Sequence, residues 1–308
     1  MAERVLTHLD RATGRMISEP VYAGGFLDWS YNTTVGWLVT EFILSRRILT
    51  RLYGWFHKSR WSRRKIRLFV KRYRIDMRES RRQIDEFSSF NDFFVREIDL
   101  GRRPIDPDPT VCVSPVDGRL LAYRQIDGER EFMIKRSSFD LKRFLGDATL
   151  AKRYAGGDMI VCRIYLPDYH HVHFADSGTA HPATTIGRRY WAVSPHSRCW
   201  SIPFYSENHR MLTLFDSNHF GQIAMVEIGA FTVGSIQQRY RPGAHVGKGE
   251  HKGFFELGGS TVVLLFEPGR IELDRDLVVN TCSGLETFVS MGKRVGRVPS
   301  ERERNDAL

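Results

Sequence analysis

The stretch Gly253-Phe254-Phe255-Glu256-Leu257-Gly258-Gly259-Ser260-Thr261-Val262-Val263-Leu264-Leu265-Phe266 decides how the chain is read. Its second half, residues 262–266, is an unbroken apolar run of strand length, the pattern of a strand covered on both faces. Gly258-Gly259-Ser260-Thr261 separates that run from an aromatic one. The plain reading is a bend between two strands. The other is a backbone built to be cut, because the Ser260 hydroxyl can attack the carbonyl of the residue before it. Glycine at 259 has no Cβ and tolerates backbone geometries that other residues resist. Such chemistry needs a base for the serine proton and a donor for the oxyanion.

Working outward, short apolar runs alternate with Gly, Pro and Asp from residue 104 onward, at 111–113, 119–123, 159–165, 210–215, 222–228, 232–236 and 261–266. Short strands at this spacing predict a β-rich sandwich or barrel, with one helical insertion over 138–154. Before residue 88 the texture differs. Trp37, Leu38, Phe42, Leu44, Ile48, Leu49, Leu52, Tyr53 and Phe56 recur at helical spacing and predict a helical front up to about residue 86. The fold class expected is therefore α+β, a helical N-terminal region of residues 1–88 followed by a β-rich domain of 89–297. A charged, fraying tail fills 298–308.

The 308 residues are 42% hydrophobic and 27% charged, which permits a real core and argues against a polytopic membrane protein. The four cysteines, Cys112, Cys162, Cys199 and Cys282, form no CxxC pair, so neither a disulfide framework nor a structural zinc site is indicated. Glu3 and Asp10 interrupt the start, where no apolar signal core appears. The apolar stretch at 35–40 ends at Glu41 and is too short to span a bilayer. The net charge of +10 is concentrated: residues 46–82 hold 15 Lys and Arg against Asp76 and Glu79. Cations interleaved with Trp55 and Trp61 suit a membrane interface, a nucleic-acid backbone or a plain solvated face, and charge alone does not separate these.

Two further segments carry chemistry-bearing residues. Ser114-Pro115-Val116-Asp117-Gly118-Arg119 reads first as a turn. Asp168-Tyr169-His170-His171-Val172-His173 places three imidazoles within four residues. In a strand His171 and His173 share a face and His170 points away; in a helical turn His170 and His173 face together. Metal ligation and acid–base work both fit that cluster.

Taken in order, these segments resemble the phosphatidylserine decarboxylase family. The likeness runs from about Phe90 to Arg297. It rests on Phe90-Asn91-Asp92-Phe93-Phe94-Val95-Arg96, Arg103-Pro104-Ile105, the Asp117 segment, the histidine segment, Val233-Gly234-Ser235-Ile236, Gly247-Lys248-Gly249-Glu250 through Phe255, and Gly258-Gly259-Ser260-Thr261. It departs at His171, where the family's common motif has arginine, and at GGST in place of LGST. The resemblance implies that Asp117 orients His173, that His173 takes the proton of Ser260, and that Ser260 attacks Gly259. Cleavage there would leave a β chain of residues 1–259 and an α chain of 260–308 headed by a pyruvoyl group made from Ser260. That cofactor would form a Schiff base with phosphatidylserine, and His170 would supply the proton that completes phosphatidylethanolamine, with no metal. It further implies an anionic lipid and the cytoplasmic face of the cell membrane as partners, a homodimer, and no nucleic acid. Two alternatives stand beside it: a non-catalytic sandwich module like the lipoyl and biotinyl domains, which predicts no cleavage at Ser260, and a metalloenzyme liganded by His170, His171 and His173, which predicts a stoichiometric bound metal.

Overall fold

The computed structural model describes residues 5–20, 24–40, 54–126, 132–134, 137–187, 204–229, 236–258 and 260–300. The expectations at 41–53, at Cys199, at 233–235, at Gly259 and at 301–308 fall outside the described residues. In chain order the first strands are β1 (Val5–Asp10), β2 (Arg15–Pro20), β3 (Val111–Val113), β4 (Gly118–Tyr123), β5 (Phe132–Ile134), β6 (Ser137–Phe139), β7 (Asp158–Ile164), β8 (His171–His173), β9 (Gly178–Ala180) and β10 (Thr184–Ile186). There follow β11 (Arg210–Ser217), β12 (Gly221–Gly229), β13 (Ile236–Gln238), β14 (His245–Val246), β15 (His251–Phe255), β16 (Ser260–Phe266), β17 (Glu272–Leu273), β18 (Glu286–Val289) and β19 (Arg294–Arg297).

The large sheet runs β14-β9-β11-β12-β16-β7-β4-β18-β1-β2, with β10 added to β11. The opening stretch thus supplies its centre: β16 lies between β12 and β7, antiparallel to β7 over its whole length and to β12 over residues 260–265. Side chains alternate along it. Val262, Leu264 and Phe266 enter one core with Ile160, Cys162, Phe174 and Phe255. Val263 and Leu265 enter a second core on the other face with Phe144, Tyr154 and Val161. Burial of both faces explains why the run is continuously apolar rather than alternating. Each fully buried side chain contributes about 1.5–3 kcal/mol.

The second face is covered by the expected insertion. It forms two short helices, Leu141–Leu145 and Ala148–Tyr154, capped by the side chains of Asp140 and Asp147. The first face is covered by two small sheets, β13-β15-β8 and β17-β19-β3. The sheet β13-β15-β8 brings the histidine segment down onto the head of β16.

The front is only partly as expected. Residues 5–20 are not helical: β1 and β2 form an antiparallel hairpin that joins the large sheet through parallel pairing of β1 with β18. The Asp10 carboxylate accepts the Ala12 and Thr13 N–H groups, and Gly14 closes the turn at a φ of 68°. Helices follow at α1 (Gly24–Asn32), α2 (Thr34–Val39), residues 54–58 and α3 (Arg64–Tyr73). No helix of the described residues is long and apolar enough to cross a membrane. Ile66, Phe69, Val70 and Tyr73 recur on one side of α3 and pack on Phe87, Phe90, Phe93, Phe94 and Leu257, a third core that touches the loop before Ser260.

Candidate active site

Ser260 opens β16, buried and held in register between Gly229 and Ile164. Just before it, Gly258 has a φ of 145°, a region closed to residues with a Cβ. The Asn91 side-chain oxygen accepts the Leu257 N–H at 3.1 Å, which ties this loop to α4 (Phe90–Phe94).

β8 is a strand, so the histidines alternate. His171 and His173 share one side, facing β15, while His170 turns the other way and reaches Ser260. Its Nδ1 lies 3.2 Å from Ser260 Oγ and its Nε2 lies 3.1 Å from the Leu166 carbonyl. A carbonyl only accepts, so Nε2 carries the hydrogen and the Nδ1 lone pair receives the Ser260 hydroxyl. The Phe94 ring stacks on the same imidazole at 4.0 Å. His173 donates from Nδ1 to the Gly249 carbonyl at 2.9 Å, and its Nε2 accepts from the Tyr169 hydroxyl at 3.1 Å. Gly249 sits at a φ of +75°, and a Cβ there would lie 1.9 Å from Ile105 Cδ1, so only glycine brings that carbonyl so close. His171 donates from Nε2 to the Val95 carbonyl at 3.1 Å and accepts from His251 at 2.9 Å.

Asp117 is buried beside this network. It accepts the Met291 N–H at 2.8 Å and both its oxygens face Arg103 Nε, at 3.1 and 3.0 Å. Arg103 in turn grips Glu79 at 3.1 and 2.9 Å. The structure brings Ser260 to His170. No hydrogen bond joins Ser260 to His173, or His173 to Asp117, although the Asp117 charge acts on the His173 ring. The three imidazole lone pairs do not converge, each being directed at a different partner. Among the described residues no group of three or more His, Cys, Asp or Glu side chains could hold a metal ion.

Burial keeps all three rings neutral. It pushes His170 and His171 down to about 3 and His173 down to about 4. The Arg96 charge and His171 lower His170 further, whereas Asp117 partly offsets the burial of His173. Asp168 is raised to about 6 by burial. Below the ordinary histidine value of 6.5 the unfolded chain takes up protons that the folded one refuses. Stability therefore falls with pH until the folded values are reached. Asp168 opposes one of the three below about 6, since there the folded state holds the extra proton. Buried His8 and His251 act in the same direction and Asp158 against them, so chemical denaturation should show unfolding free energy falling as pH is lowered from about 6.5 to 4, by on the order of 1 kcal/mol per pH unit or more. A flat profile would contradict the neutral, buried imidazoles.

Sequence reasoning passed over Tyr169, His251, Arg103, Asn91, Phe94 and Arg96 as contributors. All six lie within the motifs already quoted, yet nothing local shows which partner each one meets.

These segments lie inside the region that matches known proteins. The model of the phosphatidylserine decarboxylase family matches residues 90–297. A protein named phosphatidylserine decarboxylase proenzyme from Chlamydia felis (strain Fe/C-56) is 41% identical over 292 residues, covering 95% of this chain and 98% of its own. The protein of that name from Clostridium beijerinckii (strain ATCC 51743 / NCIMB 8052) is 39% identical over 286 residues, covering 92% and 96%. That from Chlamydia trachomatis serovar L2 (strain ATCC VR-902B / DSM 19102 / 434/Bu) is 38% identical over 297 residues, covering 96% and 99%. With its site segments inside the matched region and its length shared almost end to end with these relatives, the chain belongs to the phosphatidylserine decarboxylase family of carboxy-lyases.

Proposed function

We propose that this carboxy-lyase converts phosphatidylserine to phosphatidylethanolamine with a pyruvoyl group that it makes from Ser260. The observation that carries the reading is the state of Ser260: buried at the head of the central strand, its hydroxyl on a neutral imidazole, with Gly258 two residues earlier in a backbone that only glycine adopts. In the cleavage Ser260 Oγ adds to the Gly259 carbonyl, the amide C–N bond breaks, and an ester replaces it. Elimination releases the Gly259 carboxylate, and hydrolysis of the resulting dehydroalanine releases ammonia. The residues present fit the group so formed. Residue 260 stays pinned by two antiparallel neighbours, and the His170 ring faces it. A pyruvoyl carbonyl supplies an electron-withdrawing centre for an amine that loses CO₂.

The division of labour follows from the two environments. His173 lies in the field of Asp117, which favours its cation, so it is the stronger base and the acceptor of the Ser260 proton. The Tyr169 hydroxyl occupies His173 Nε2 here, so that transfer requires the Tyr169 contact to open. His170 touches the Ser260 hydroxyl before cleavage and faces residue 260 afterwards. Its Nδ1 lone pair takes up the proton that the substrate ammonium gives up on condensing, and returns that proton to the carbon that has lost CO₂. The contact at 3.2 Å supports a second reading, in which His170 itself takes the Ser260 proton. The intact mass of the purified protein tests the function: two chains, divided after Gly259 and lighter by one ammonia, are expected. A fully active, uncleaved chain would overturn it.

The basic segment suits the lipid substrate. Trp55, Trp61 and Leu68 are 75%, 72% and 72% exposed, among the exposed Arg60, Arg63, Arg64, Arg67 and Lys71. Apolar rings and cations on one surface bind an anionic bilayer, at about 1 kcal/mol for each nearby Lys or Arg. This surface supports peripheral attachment to the cytoplasmic face of the cell membrane. Replacing Trp55, Trp61 and Leu68 together by serine should lower cosedimentation with phosphatidylserine-containing vesicles about tenfold or more. Unchanged binding would place the lipid contact elsewhere.

A further inference from the structure

The turn that carries the Leu166 carbonyl is held from outside the histidine segment. Asp168 N–H closes the turn on the Tyr165 carbonyl at 2.9 Å, and the Asp168 carboxylate accepts the Tyr165 N–H at 3.0 Å and pairs with Arg119. Arg96, at the end of the segment that opens the matched region, reaches across and donates from Nη2 to the Pro167 carbonyl at 2.6 Å. Its guanidinium lies over the Phe93 ring at 4.9 Å. The side chain is buried, 6% exposed, and its Nη1 has no hydrogen-bond partner. Burying a guanidinium with donors unfilled is costly. A brace for one carbonyl alone does not need a charge.

We propose that Arg96 is a positioning residue for decarboxylation: by holding the Pro167 carbonyl it fixes the preceding Leu166 carbonyl, which sets the ring orientation and tautomer of His170 at residue 260. Leu166 O is what compels His170 Nε2 to carry the hydrogen and leaves Nδ1 facing the reactive position. Phe94, two residues before Arg96, stacks on the same ring, so one segment holds both the imidazole and the turn that orients it. The charge has a second consequence. The charged or titratable groups acting on His170 are Arg96 and His171, and both disfavour its protonation. Removing the Arg96 charge therefore raises the His170 pKa.

The inference rests on the proposed role of His170 after cleavage, and the test separates the two. Arg96→Gln and Arg96→Lys are prepared as full chains, and phosphatidylserine turnover is followed against pH. Both variants are expected to cleave into two chains, which reports correct folding. Arg96→Gln should lose about tenfold to a hundredfold in kcat with little change in KM, and the acid limb of its kcat profile should move to higher pH. Arg96→Lys keeps the charge without the fork, so it should keep the acid limb in place and recover only part of kcat. Wild-type kcat and profile in Arg96→Gln, or a change in KM alone, would overturn the proposal. So would an Arg96→Gln chain that stays uncleaved, because Arg96 would then act in maturation. If instead His170→Ala turns over normally, the role of His170 fails, whatever Arg96 does.

Discussion

Replacing Ser260 by alanine should leave one full-length band on a denaturing gel and no decarboxylation above background, where the unaltered chain gives two fragments and full activity. The loss is complete because the hydroxyl has two duties that no neighbour can assume: it is the nucleophile, and it becomes the reactive group. Fold collapse is not a competing explanation. The substitution removes one oxygen from a buried position and one hydrogen bond to His170, worth about 1 kcal/mol, against a central strand buried along its whole length. The thermal transition of Ser260→Ala should therefore stay within a few degrees of that of another uncleaved chain, His173→Ala. The fragments of the active chain should also stay together under native conditions. The short fragment supplies β16 between β12 and β7, and its Met291 N–H holds Asp117. Cleavage at Ser260→Ala, or activity without cleavage, would remove the basis of the proposed function.

The second large effect distinguishes the histidines. His170→Ala is expected to cleave normally yet lose about a hundredfold to ten-thousandfold in turnover, the usual cost of removing a general acid. His173→Ala and Asp117→Asn are expected to accumulate as the uncleaved chain. Asp117→Asn keeps an acceptor for Met291 N–H but removes the charge that favours the His173 cation. Its cleavage should slow by about a hundredfold or more. An uncleaved His170→Ala chain would reverse the assignment, in favour of the ring that touches Ser260 before cleavage. Each variant is read twice, by gel for maturation and by CO₂ release for turnover, so failure at one step is not mistaken for failure at the other.

Much of this is legible in the amino-acid sequence. The run at 262–266 announced a strand buried on both faces, and the motifs around Asp117, His170 and Ser260 carried the family. The strands at 111–113, 119–123, 210–215 and 222–228 lie within a residue or two of those observed. The hairpin at 5–20 was misread as part of a helical front. Val5, Met16 and Ile17 are exposed there, so no clean alternation marks either strand. What makes them strands is the distant edge offered by β18. The Asp10–Gly14 turn was the one local sign.

The histidine segment shows where local pattern stops. Residue types and spacing determined that three imidazoles lie near one another and that a serine follows two glycines. They left open whether the rings face together or apart, because strand and helix periods give opposite answers. Only the pairing of β8 with β15 decided it, turning His171 and His173 toward His251 and His170 toward Ser260. The tautomers, too, are tertiary facts: carbonyls of Leu166, Val95 and Gly249 assign each proton from outside the rings. Sequence determines a side chain's chemistry and its local period. Which lone pair meets which proton depends on backbone groups brought near by packing across the whole chain.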